Sequence, residues 1–165
     1  MKVQILTNQQ VAPILKRIAY QIVESNSAAK EIFLVHIEGQ GKALADIIEK
    51  ELETITSQRI TRTGIQINKS NPSIETTQLN TMVKPSQNAG LVIIDDVLNS
   101  GKTMMFAIAA CLGLGFNQIQ IAVLVDRSYK HFPIQANFIG TSLSTTLQEH
   151  INVQCRAGKI SVYVE

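Results

Sequence analysis

One pattern recurs along the chain: an apolar, partly β-branched run, a short polar turn, and then apolar residues at helical spacing. IFLVHI (32–37) is followed by a break at Gly39-Gln40-Gly41 and by ALADIIEKEL (43–52). An apolar run over 90–95 leads through the polar turn 97–101 into a helical pattern over 102–114. That pattern ends at Gly113 and Gly115 and is followed by IQIAVLVD (119–126). Short unbroken apolar runs suit strands buried on both faces, and strands alternating with helices suit parallel pairing through helical crossovers. The expected fold class is α/β, with a mainly parallel central sheet flanked by helices.

The remaining segments fit the same frame. Val11, Ile14, Leu15, Ile18 and Ile22 share one face of a helix over 8–24, with Asn8 as its expected cap. RITRTGIQIN (59–68) alternates as a strand does, and 136–140, 151–155 and 159–165 read as further strands. Residues 69–90 are polar, contain Pro72 and Pro85, and show little periodicity. That is longer than an ordinary connection, so a mobile functional loop over about 69–88 stands beside a solvated connector as its reading. A chain of 165 residues fits one domain with one core. Ligands of such sheets sit beyond the carboxyl ends of the strands, so the turns 38–41, 95–103 and 126–133 are expected to converge.

Composition removes several classes of partner. Fifteen basic against thirteen acidic residues leave a net charge of +2, with no basic block, so nothing demands a polyanion. No apolar run approaches the ~20 residues of a membrane span. Cys111 and Cys155 have no metal-type spacing, and with no signal-peptide pattern the expected compartment is the cytoplasm. His36 lies within an apolar strand and is expected to be a core histidine with its hydrogen bonds satisfied. His131 and His150 are too far from it in sequence to suggest a metal cluster.

The chemistry concentrates in VIIDDVLNSGKT (92–103). Its Gly-Lys-Thr invites a triphosphate-binding P-loop, but such a loop needs glycine five positions earlier, where this chain has Asp96. A carboxylate there would repel the phosphate. Asn99, Ser100, Gly101, Lys102 and Thr103 instead form a turn into a helix N-terminus, suited to one phosphate monoester. Asp95 and Asp96 are acceptors suited to vicinal hydroxyls. Hydroxyls flanked by a phosphate describe a ribose 5-phosphate. A capped helix, with the acid pair bonding loop amides, is the purely structural alternative.

VIIDDVLNSGKT resembles the signature of the type I phosphoribosyltransferases: four apolar residues, two acids, two apolar residues and a hydroxyl-rich turn. IQIAVLVDRSYKHFPIQANFIG (119–140), RIAYQIVE (17–24) and IFLVHIEGQGKALA (32–45) are similar to segments of the PyrR-type pyrimidine regulator and uracil phosphoribosyltransferase family. The resemblance implies the type I phosphoribosyltransferase fold in one domain. A small hood would be formed by about 128–165 with the N-terminal segment. It also implies transfer of ribose 5-phosphate from phosphoribosyl pyrophosphate (PRPP) to a nucleobase, with Mg²⁺ carried by PRPP, in a homodimer or higher oligomer. On this likeness Asp95 and Asp96 hold the ribose hydroxyls, and Asn99, Ser100, Gly101, Lys102 and Thr103 hold the 5-phosphate. Glu38, Gly39, Gln40 and Gly41 face the pyrophosphate, and Asp126, Arg127, Phe132 and Ile134 lie on the base side. The nucleobase is expected to be a pyrimidine such as uracil.

Three positions depart from that pattern. The pyrophosphate turn of such proteins carries basic residues, in a run like Lys-Thr-Arg-Gly, whereas this chain has Glu38 and Gln40. A Tyr-Arg-Asp-Asp stretch near the loop is represented by QINKSNP (66–72), and an acid near the metal by Arg156. Either Arg156 contacts pyrophosphate directly in compensation, or the pyrophosphate half has decayed and the protein senses nucleotides. RNA is a weakly supported partner of the second kind, through a face to which Lys16, Arg17, Lys30, Lys130 and Arg156 would contribute.

Overall fold

The computed structural model describes residues 2–86, 88–146 and 148–165. In chain order the elements are β1 (Val3–Leu6), α1 (Asn8–Ser25), β2 (Glu31–Ile37), α2 (Gln40–Ile55), β3 (Arg59–Gln66) and β4 (Gln78–Leu79). They continue with β5 (Ala89–Leu98), α3 (Lys102–Leu112), β6 (Gln118–Arg127), β7 (Phe138–Leu143), β8 (Ile151–Arg156) and β9 (Lys159–Val164). The expected loop and hood ranges include Gln87 and Leu147, which lie outside the described residues.

Six strands form the larger sheet in the order β4-β3-β2-β5-β6-β7. β2, β3, β5, β6 and β7 run parallel, and only the two-residue β4 is antiparallel. The chain moves outward from β2 to β3, then returns to add β5 on the other side of β2. That reversal leaves a crevice at the carboxyl ends of β2 and β5. β1, β9 and β8 pair antiparallel as a separate three-stranded sheet.

Two apolar layers enclose the larger sheet. On one face α1 and α2 press Leu15, Ile18, Leu44 and Ile48 onto Ile32, Leu34, Val92 and Ile94, and Val153, Ile160 and Val162 of the small sheet join the same cluster. On the other face Met104, Ala107 and Cys111 of α3 cover Ile93, Ile121 and Val123, while Val83 and Leu79 cover the β2–β3 side. Cys111 is a free thiol pushed up to about 11 by burial, which fits inert packing. Among the described residues, no helix is long and apolar enough to cross a membrane.

Local chemistry corrects several expected boundaries. Thr7, not Asn8, caps α1: its hydroxyl accepts from the Gln10 amide at 3.4 Å, while the Gln10 side chain accepts from the Thr7 amide at 2.9 Å. Asn8 serves elsewhere, its Oδ1 accepting from the Ile160 amide at 2.9 Å and tying the small sheet to α1. α2 starts at Gln40 rather than 43, because Gly39 at φ 105° turns the chain straight into the helix. β5 continues through both aspartates to Leu98, so the turn into α3 shrinks to Asn99–Gly101.

Candidate functional site

β5 carries its apolar run to the sheet's edge and there places Asp95, buried, beside the half-buried Asp96. Asp95 Oδ1 accepts from the Asp96 amide at 3.0 Å. Burial, and then the charge of Asp96, push the Asp95 carboxyl well above the usual carboxylate range. Lys69 opposes this, its Nζ standing 3.7 Å from Asp95 Oδ1.

The turn that follows is built as an anion seat. Gly101 caps α3 at φ 88°, and no side chain of the cap occupies the first free amides of the helix. Ser100 Oγ accepts only a long 3.4 Å bond from the Lys102 amide. Those amides, the hydroxyls of Ser100 and Thr103 and the helix dipole favour a phosphate. The Ser100 carbonyl accepts from the amides of both His131 and Phe132, at 3.0 and 3.1 Å, which fastens the 126–134 segment to the seat.

Arg127 holds the same seat from behind. Almost wholly buried, it donates to Asn99 Oδ1 at 2.9 Å and to the Thr146 carbonyl at 2.6 Å, and it also bonds the Thr145 hydroxyl. Asp126 is paired with Lys130 at 2.5 Å, and Lys130 also reaches the Leu98 carbonyl at 3.3 Å. Phe132 and Ile134 pack against Gly101. These base-side candidates therefore brace the phosphate turn.

A cavity of 370 Å³ opens here, lined by Lys69, the stretch Asp95–Met104, Arg127, His150 and Ile151. The structure thus brings together Asp95, Asp96, Asn99, Ser100, Gly101, Lys102, Thr103 and Arg127. Asp126, Phe132 and Ile134 stand behind this wall. Arg156 is exposed, paired with Lys159 at the opposite end of β8 from Ile151, about 17 Å along an extended strand. It is not among the residues that line the cavity.

The 38–41 turn lies beside the acid pair. A β-carbon on Gly41 would stand 3.0 Å from the Ile94 carbonyl oxygen and 3.3 Å from Asp95 Oδ1, so a larger residue would crowd the close approach of α2 to β5. Glu38 is folded back toward β3, where its Oε1 accepts from Asn80 Nδ2 at 2.7 Å. His36 does not fulfil the expectation of a satisfied core histidine. It is buried, yet among the described residues neither ring nitrogen has an aligned hydrogen-bond partner, and Nε2 stands 3.3 Å from the same Glu38 oxygen. Burial pushes its pKa below the ordinary 6.5, outweighing the nearby carboxylate.

Lys69, His150 and Ile151 were not singled out from the sequence as site residues. A lone lysine in a polar segment and a histidine before a strand carry no local pattern, and only the tertiary fold brings them to β5. Of the five cations considered for an RNA face, Arg17 donates to the Ile139 and Gly140 carbonyls at 3.1 and 2.8 Å and Lys130 is paired internally. That leaves the face weaker than its count suggested.

A phosphoribosyl transferase domain model matches residues 2–157. The chain is 33% identical over 156 residues to the bifunctional protein PyrR of Leuconostoc citreum, covering 91% of this chain and 89% of that one. It is 32% identical over 165 residues to the bifunctional protein PyrR of Chloroflexus aurantiacus, covering 93% and 88%. Among solved structures, hypoxanthine phosphoribosyltransferase of Trypanosoma cruzi in complex with its product IMP superposes with a TM-score of 0.76 at 14% identity, over 96% of this chain and 89% of that one. A hypoxanthine-guanine phosphoribosyltransferase of Bacillus anthracis gives 0.73 at 16% identity, over 99% and 97%. At these identities the two structures attest a shared fold.

Proposed function

We propose that this chain, which belongs to the phosphoribosyl transferase domain family and has the type I phosphoribosyltransferase fold, transfers ribose 5-phosphate from PRPP to a nucleobase and releases pyrophosphate. A pyrimidine such as uracil is the proposed base, by likeness to the PyrR proteins. The observation that carries the reading is the contiguity, in one cavity, of an acid pair at the end of β5 and an uncapped helix N-terminus five residues on.

The chain's own groups suffice for the protein's share of this reaction. Asp95 and Asp96 accept hydrogen bonds from the 2- and 3-hydroxyls, and their negative charge suits them to stabilise the positive charge developing at the anomeric carbon. Residues 99–103 receive the 5-phosphate, held in place by Arg127 through Asn99. The amides of Gly39, Gln40 and Gly41 are offered to the pyrophosphate, that of Glu38 being taken by the Ile65 carbonyl at 3.1 Å. Mg²⁺ carried by PRPP would supply charge to the leaving pyrophosphate, and the hard carboxylate oxygens of Asp95 and Asp96 would be the groups to meet it. No side-chain nucleophile is needed: the rate gain comes from fixed geometry and from exclusion of water by the 69–88 segment.

A regulator that senses nucleoside monophosphates is the second reading, favoured by Glu38 in a turn that would face pyrophosphate. Calorimetric titration separates the two. The transferase reading expects PRPP·Mg²⁺ to bind and uracil to be converted to its monophosphate. Binding of uridine monophosphate with no affinity for PRPP would overturn that reading and support the sensor.

A further inference from the structure

We infer that Asn80 and His36 form a niche over Gly64 that keeps the Glu38 carboxylate out of the pyrophosphate subsite, making Asn80 a positioning residue for PRPP. The inference rests on the proposed transfer reaction and answers its main difficulty, an acid in the turn that should receive the most negative part of the substrate.

The niche is made by the absence of a side chain at Gly64. A β-carbon there would lie 2.2 Å from Glu38 Oε1, 2.4 Å from Asn80 Nδ2 and 2.9 Å from His36 Nε2, so the three groups share the space that any other residue would fill. Asn80 donates to the carboxylate at 2.7 Å, while its own amide is anchored to the Gly64 carbonyl at 2.8 Å. The Glu38 amide bonds the Ile65 carbonyl at 3.1 Å, which fixes the residue's backbone against β3. His36 closes the niche from the β2 side, buried and, among the described residues, without an aligned partner for either nitrogen. Lys42 and Arg62 lie near enough to act on that imidazole, although Lys42 is paired with Asp46 and Arg62 with both Asp46 and Glu49.

Released from Asn80, the Glu38 side chain can swing about its own backbone toward the turn it precedes, where it would repel pyrophosphate. Asn80 belongs to the segment proposed to cover the site, and Lys69, which reaches Asp95, lies on the same segment. One stretch of chain therefore removes a negative charge from one side of the subsite and delivers a positive one to the other.

The test is isothermal titration of the full chain with PRPP·Mg²⁺ and, separately, with uridine monophosphate, which has no pyrophosphate. Asn80→Ala keeps the backbone bond to Gly64 and is expected to weaken PRPP about tenfold while leaving the monophosphate unchanged. Adding Glu38→Gln to that variant is expected to restore PRPP affinity, a rescue that a merely structural role would not give. Gly64→Ala fills the niche from the other side and is expected to act as Asn80→Ala does. If wild type binds PRPP and Asn80→Ala binds it equally well, or Glu38→Gln gives no rescue, the inference is overturned and the transferase reading stands. Parallel loss of both ligands would mark Asn80 as structural and overturn it too. If wild type binds neither ligand, the transferase reading itself fails.

Discussion

Gly101 and Ile134 meet across the phosphate turn so closely that a β-carbon at 101 would come within 2.4 Å of Ile134 Cγ2. Gly101 also holds φ at 88°, a conformation that other residues adopt only under strain. Gly101→Ala is therefore expected to lose on the order of 1–3 kcal/mol of stability and to weaken monophosphate binding. Ile134→Ala in the same chain restores the space but not the dihedral, so thermal denaturation of single and double variants should show a partial recovery only.

Arg127→Lys tests the brace behind the seat. An ammonium cannot reproduce the planar fork that reaches Asn99, Thr145 and Thr146 together. The expected loss is about 2–3 kcal/mol, seen in urea denaturation. Phosphate affinity should fall as well, because Asn99 loses its fixed orientation.

Asp95→Asn should abolish transfer yet stabilise the fold at neutral pH. The folded carboxyl is raised above its unfolded value by burial and Asp96, so its favourable contribution is present at low pH and lost as pH rises through the raised value. The variant's advantage should thus grow from acid toward neutral pH. A pH series of melting temperatures in which wild type and variant run parallel would contradict this.

Lys69→Gln removes the one cation found against Asp95 among the described residues. PRPP affinity is expected to fall about three- to tenfold, with a smaller effect on the monophosphate. Titration at two ionic strengths checks the electrostatic origin, since the wild-type advantage should shrink in salt.

His36 sets a pH dependence of the opposite sign. Its folded pKa is lowered by burial, so the stability it contributes is present above about 6.5 and is lost as pH falls through the lower folded value. His36→Gln should flatten the decline of melting temperature below pH 6.5.

The parallel sheet and the acid pair were legible because their signals are contiguous: an apolar run, two aspartates and a turn into a helix stand within one dozen residues. β1 was not. Of its four residues VQIL two are exposed and two half-buried, and they are held by pairing with β9 at the far end of the chain, a relationship without local pattern. Glu38 was legible as a conflict, since its charge opposes the turn it opens. The resolution lay in Asn80 and the bare backbone of Gly64, residues whose types announce nothing. Arg127 was legible as a residue of the 126–134 turn but not in its orientation, because burial turns its guanidinium into a strut behind Asn99.

The contact of Gly41 with Ile94 has a further consequence. Where backbone lies against backbone there is no side chain between them to repack, which favours a constant spacing between the start of α2 and the end of β5. On the proposed reading, that spacing acts as a fixed gauge between the diphosphate arm of the substrate and its ribose. A sugar phosphate whose leaving group sits one carbon out of place would fail to span it. Selection for the 1-pyrophosphate would then be made by the scaffold, before any loop closes.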